Sequence, residues 1–138
     1  KICKVHGEHN PELFEIKKEF NTSAGELASH MKKEELVLFP FIRKMVKAKQ
    51  ENKDLDSAHF GTVRNPIQMM MDEHTIEGNR FRRIEELSNN YTPPHYACNT
   101  YRVSFALLQE FEQDLHLHIH LENNILFPKA IEIEKELI

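Results

Sequence analysis

Two stretches of this chain place a histidine four residues before a glutamate in the same surroundings. HMKKEELVLFP fills positions 30–40 and HIHLENNILFP fills positions 118–128. At a constant offset of 88, His30 falls on His118, Glu34 on Glu122, and Leu38, Phe39 and Pro40 on Leu126, Phe127 and Pro128. On a helix, positions i and i+4 share one face, one turn apart. Each stretch therefore offers an imidazole and a carboxylate side by side. Whether the pair needs a metal ion depends on the face that carries it.

Three long segments have helical periodicity, and none alternates as a strand would. The first opens at Asn10-Pro11 and fades after Gln50. Its apolar stripe is Leu13, Ile16, Phe20, Leu27, Val37 or Leu38, Phe41 and Met45. Pro40 lies inside it and either bends the axis or breaks the segment at Phe39. The second runs from Asn65-Pro66 to Ser88-Asn89-Asn90, with Ile67, Met70 or Met71, Phe81, Ile84 and Leu87 inward. The third runs from about Pro94 to the end, with Tyr101, Phe105, Leu108, Phe111, Leu115, Ile125 and Ile131 inward. Ile2, Cys3 and Val5 read as the last turn of a helix that began before Lys1, and Gly7 suits its end. The expected fold class is all-α. It is an antiparallel four-helix bundle, with three long helices present and most of the first missing from the chain. Residues 1–138 form one domain on this reading, N-terminally incomplete. Its open apolar groove is expected to be covered by a preceding segment bearing a further histidine, or by a second copy in a homodimer.

The histidines sit on these stripes. Leu27, His30, Glu34 and Val37 or Leu38 step by three and four, as do Leu115, His118, Glu122 and Ile125. Met70 or Met71, His74, Glu77 or Gly78, and Phe81 turn His74 inward as well. A lone histidine on an apolar face is ordinarily a hydrogen-bonded core residue. Two buried glutamates are different, because an unpaired buried carboxylate costs several kcal/mol. No Lys or Arg falls on these stripes nearby. A buried multivalent cation resolves the conflict, and two carboxylates able to bridge suit two ions better than one. His116 and His120 lie about 160° from the stripe on an ideal helix and read as exposed. His59 and His95 fall in loops, His9 falls in a turn, and Glu112 reads as a surface residue. Periodicity leaves His6 open: it stands one turn from Ile2 and Cys3 and could face inward.

Composition narrows the alternatives. The 138 residues suffice for one ordinary core. Lys and Arg total 18 against 22 Asp and Glu, a net charge of −4, so nothing here suits nucleic acid or an anionic membrane. No apolar run approaches the ~18 residues needed to cross a bilayer. Cys3 and Cys98 make no CxxC motif and no disulfide framework, which favours a reducing, cytoplasmic setting. No nucleophilic triad, phosphate loop or acid–base pair independent of the metals is visible, so no catalytic residue is expected apart from them. Nine histidines are many for this length, and their positions carry the signal.

KVHGEHNP (4–11), HMKKEELVLFP (30–40), DEHTIEG (72–78), NNYTPPHYAC (89–98) and HIHLENNILFP (118–128), in this order, resemble the hemerythrin-like di-iron domain of the proteins for repair of iron centres. The resemblance implies metal ligands at His6, His30, Glu34, His74, His118 and Glu122, with the two glutamates bridging. It implies that Glu73 matches an acidic position in the shell around the ligands. It also implies two iron ions with an oxo or hydroxo bridge. The implied role is repair of iron–sulfur clusters damaged by nitrosative or oxidative stress, through iron delivery, nitric oxide chemistry, or both. The partners would be damaged iron–sulfur proteins or small ligands such as nitric oxide and oxygen. The alternative is a hemerythrin-like module that binds or senses oxygen or nitric oxide without turnover. The family has one further histidine ligand, on a first helix upstream of the counterpart of Lys1. The stretch from Gln50 to Pro66 is longer than usual for it.

Overall fold

Pro11 stands immediately before the first long helix, where its fixed φ helps and its missing N–H is not needed. Glu12 and Glu15 then place negative charge on the first turn, against the positive end of the helix dipole. The computed structural model describes residues 1–138. It contains α1 (Ile2–His6), α2 (Glu12–Lys33), α3 (Phe39–Gln50), α4 (Arg64–Leu87), α5 (Asn99–Leu121) and α6 (Phe127–Leu137). Two five-residue π-turns, Glu34–Leu38 and Glu122–Leu126, join α2 to α3 and α5 to α6 without a break. There is no strand, only an isolated bridge between Ala58 and Gly61. The protein is all-α. Pro40 therefore does not split the first segment, and the third starts at Asn99 because Pro94 to Cys98 form a turn.

The chain divides into two compact units, residues 1–26 with 76–117 and residues 27–75 with 118–138. In the first, Ser23 donates to Glu77, Arg80 pairs with Glu77 and Glu19, and Arg83 pairs with Glu15. Numbers fall on α2 as they rise on α4, so these parts run antiparallel. Leu13, Ile16, Phe81, Ile84, Tyr101 and Phe105 are buried there. The helix α4 ends in three residues of positive φ, Asn89, Asn90 and Tyr91. That conformation disfavours a tyrosine, and the buried Tyr91 hydroxyl is anchored by donating to Glu112. Glu112 is thus buried rather than on the surface. Its pKa is raised by burial and by Glu85, against the Tyr91 hydrogen bond. Gly7 ends α1 at an ordinary helical φ of −59°. It is required by close approach, since a Cβ there would lie 2.4 Å from the Phe14 ring.

The first unit also carries a groove of about 590 Å³, lined by Ile2, Leu13, Ile16, Phe20, Leu107 and Phe111. Phe111 is 39 % exposed on it instead of inward.

In the second unit, Glu134 accepts hydrogen bonds from Thr62 and from the backbone N–H of Val63, while His74 faces Glu122. The first half of α4 therefore runs antiparallel to α6 and the end of α5. Lys49 pairs with Glu136 and His118 faces Glu34, so the α2–α3 stretch runs parallel to α5–α6. Leu38, Phe41, Ile42, Met45, Val63, Ile67, Met70, Phe127 and Ala130 form its core. Val37 and Ile125 are exposed, and Leu38 and Phe127 take the inward places. In α5–α6 the π-turn advances the register past Ile125, which straight-helix spacing sets inward; in α2–α3 that spacing already allows Leu38.

Candidate metal centre

Five ligand atoms converge in the second unit. One nitrogen each from His30, His74 and His118 and one oxygen each from Glu34 and Glu122 all lie within 4.8 Å of one another. His30 comes from the end of α2 and Glu34 from the first residue of the π-turn that follows. His118 and Glu122 repeat that arrangement on α5, and His74 enters from α4. His30 and His74 are 3 % exposed, Glu34 1 % and Glu122 5 %. The His118 side chain is 41 % exposed and forms the open edge.

The imidazoles are held from behind. Nδ1 of His30 donates to Glu73 at 3.0 Å, and Lys33 donates to the other oxygen of that carboxylate at 2.8 Å. Nδ1 of His74 donates to the Asn123 side-chain oxygen at 2.8 Å. The Phe127 ring stacks on His74, with centroids 6.0 Å apart and planes 7° from parallel. A neutral imidazole with its proton on Nδ1 presents a lone pair on Nε2. In both residues that nitrogen faces the carboxylates: His30 Nε2 is 2.9 Å from Glu34 Oε1, and His74 Nε2 is 2.9 Å from Glu122 Oε1. The two Nε2 atoms are 3.1 Å apart.

Those short approaches do not satisfy the carboxylates. Glu34 Oε1 and Glu122 Oε1 are buried and accept no hydrogen bond. Acceptors facing acceptors in a buried site repel unless a cation lies among them. Nitrogen and carboxylate donors at this spacing suit iron, zinc or manganese. The residues therefore fit a metal.

Their electrostatics carry the same conflict. Burial works against a charged His30 imidazole, but Glu34 and Glu73 outweigh it and raise its pKa. Glu34 is pushed up, first by burial and also by the Glu122 carboxylate, against the pull of His30. For Glu122, burial opposes the charge, yet the close His74 imidazole, the Glu34 carboxyl and His118 hold its pKa down. Glu73 is likewise held low by Lys33 and His30 in spite of partial burial.

Of the six candidate ligands, the structure brings these five together and not His6. In the first unit, Nε2 of His6 is 3.1 Å from Cys98 Sγ, and its ring meets Tyr101 edge-on at 5.0 Å. Glu73 stands behind His30. His9, His59, His95, His116 and His120 are exposed. Sequence reasoning missed Asn123 and Lys33. Asn123 directly follows Glu122, about 100° off its face on an α-helix, so spacing alone does not set it beside His74, which it reaches inside the π-turn.

Known proteins are similar to this chain in sequence. The hemerythrin HHE cation binding domain matches residues 2–130. The iron-sulfur cluster repair protein YtfE of Yersinia pseudotuberculosis serotype IB (strain PB1/+) is 38% identical over 131 residues, covering 95% of this chain and 53% of that protein. The YtfE protein of Yersinia pestis (strain Pestoides F) is 38% identical over the same shares of each chain. That of Yersinia pseudotuberculosis serotype O:3 (strain YPIII) is 37% identical, again over 95% and 53%. The chain spans about half the length of the curated relatives it matches. No helix is long and apolar enough to cross a membrane.

Proposed function

Because the chain belongs to the hemerythrin HHE cation-binding family, we propose that it holds two iron ions and serves repair of iron–sulfur clusters damaged by nitrosative or oxidative stress. The observation that carries this reading is the pair of buried carboxylate oxygens without a hydrogen-bond partner, faced by three imidazoles. On this reading His30, His74 and His118 are terminal ligands and Glu34 and Glu122 bridge. Iron so held would supply a labile metal for delivery and an open coordination position for a small ligand.

The chain's own residues do the positioning. Glu73 and Asn123 hold two imidazoles with Nε2 toward the metal and make them more basic. Phe127 keeps water from the His74 ring. The names of the YtfE relatives support damaged iron–sulfur proteins as the partners, and a cytoplasmic setting follows from that role. A homodimer burying the apolar groove of the first unit completes the proposal, and sedimentation would test it.

Two measurements test the role. Iron bound per chain after anaerobic reconstitution should approach two. The loaded protein should then restore activity to an iron–sulfur enzyme inactivated by nitric oxide. Failure to bind iron, or binding without any restoration, contradicts the corresponding part. The exposed edge at His118 favours a second reading, reversible capture of oxygen or nitric oxide without turnover. Nitrous oxide produced from excess nitric oxide by the reduced protein would separate turnover from capture.

A further inference from the structure

Each glutamate of the centre is the first residue of a π-turn, and each turn runs directly into Phe-Pro. The turns are Glu34–Leu38 before Phe39-Pro40 and Glu122–Leu126 before Phe127-Pro128. The π-helix accounts for well under 1% of residues in proteins. Two of them, each starting at a carboxylate of one cluster, require a cause.

Proline supplies it. In a continuous α-helix the N–H of residue 40 would close on the carbonyl of Leu36, and that of residue 128 on the carbonyl of Asn124. Proline has no N–H, and its ring collides with that carbonyl. A wider rung avoids both problems. The Phe39 N–H bonds the Glu34 carbonyl and the Phe127 N–H bonds the Glu122 carbonyl, five residues back in each case. Packing does not explain both prolines, because Pro128 is exposed.

The wider rung, with its one surplus residue, resets the register in the second copy. Inward positions on α5 run 101, 105, 108, 112, 115, 118 and 122, in steps of three and four. The next fully buried one is Phe127, five residues on and 1 % exposed, while Ile125 is 47 % exposed. Five residues turn an uninterrupted α-helix by about 140° from Glu122. Either Phe127 and Ala130 would leave the core, or His118 and Glu122 would leave the centre. In the first copy Leu38 is 1 % exposed and Val37 37 %, and a return of its wide rung to α geometry would turn α3 by about 100° against α2.

We propose that Pro40 and Pro128 are positioning residues of the metal centre. Each pins the surplus residue to the rung below its glutamate, so that the ligand face and the core face both point inward. The inference rests on the metal-centre reading above and assigns the repeated LFP its purpose. Leucine and phenylalanine fill the layer beneath the ligands, and proline fixes where the helix widens.

The test compares the chain with the double variant Pro40→Ala/Pro128→Ala and with Pro66→Ala, whose proline lies in the first turn of α4 away from either π-turn. Three readouts are taken: helical circular dichroism, the rate at which bound Fe(II) passes to a competing chelator, and the visible ligand-field bands of the Co(II)-loaded protein. The double variant should keep its helix content, release iron about tenfold faster and show shifted cobalt bands. Pro66→Ala should match the parent. Deleting the exposed residues Leu36 and Asn124 from the double variant removes the surplus and should restore slow release. If the double variant fails to fold, Pro128→Ala alone, at an exposed position, carries the same comparison. Parent-like release and parent-like cobalt bands in the proline variants would overturn the inference. So would iron loss that tracks lost helix and is not restored by the deletions. A parent chain that binds neither Fe(II) nor Co(II) would instead overturn the metal-centre reading itself.

Discussion

Replacing Glu34 with Gln should move stability in opposite directions with and without metal. Glu34 is 1 % exposed, and its Oε1 accepts no hydrogen bond. Without a cation, its charge is buried beside the Glu122 carboxylate, and both burial and that neighbour raise its pKa. A buried group left unsatisfied costs about 1–3 kcal/mol, so the neutral amide should stabilise the metal-free chain by about that amount. For a chain of this size, that corresponds to a melting temperature higher by roughly 4–10 °C. In the loaded protein the same change removes a ligand charge and should weaken iron retention about 100-fold, or ~2.7 kcal/mol. The pH dependence has a definite sign. A carboxyl whose pKa is raised on folding carries no penalty where it is protonated in both states, below about pH 4. The penalty grows as pH rises through the folded-state value. The advantage of Glu34→Gln in metal-free protein should therefore be largest near neutral pH and vanish in acid. Thermal melts of chelator-treated and reconstituted protein across pH measure both effects. A metal-free variant less stable than its parent would refute the reasoning, because a protonated His30 would then be satisfying Glu34 without any cation.

Glu73→Gln and Asn123→Ala should each weaken iron retention about tenfold by releasing an imidazole Nδ1, while Asn124→Ala, which touches only exposed His120, should leave chelator competition unchanged. Glu112→Ala should destabilise the fold by about 1–3 kcal/mol by orphaning the buried Tyr91 hydroxyl; Glu112→Gln, whose amide oxygen can still accept, should recover most of that loss in a urea melt. Because burial and Glu85 raise the Glu112 pKa, the parent should gain stability relative to Glu112→Gln as pH falls from neutral toward 4. Iron release should accelerate as pH falls through the histidine range, because protons compete for the same imidazoles; a release rate flat between pH 7 and pH 5 would contradict imidazole ligation.

Much of the centre was legible because buried charge is rare and periodicity places it. His30, Glu34, His74, His118 and Glu122 could be set on inward faces from spacings of three and four alone. The π-turns were not legible in that way, because a 3.6-residue period assumes every rung alike. Pro40 was visible, but its effect on the backbone, one wide rung in place of a bend, depends on packing on both sides of it. Val37, Ile125 and Phe111 were misplaced or left ambiguous for related reasons: two sit beside a register change, and the third lines an open groove. Glu112 looked like any helix-surface acid, since its partner Tyr91 follows a left-handed turn that helical spacing does not describe. For His6 the spacing was silent, and the structure turns its ring to Cys98. Asn123 escaped notice because it stands about 100° from the face of Glu122 on an α-helix.

The central claim is that five side chains in the second unit hold metal. Crystals of the iron-reconstituted chain, measured at X-ray energies on either side of the iron edge, give the most direct test. The account predicts two anomalous-difference peaks among the five residues, with the His30, His74 and His118 Nε2 atoms about 2.0–2.3 Å from iron and Glu34 and Glu122 reaching both peaks. A single peak would contradict the bridged pair. No peak among these residues, or iron bound only elsewhere on the chain, would contradict the metal centre itself.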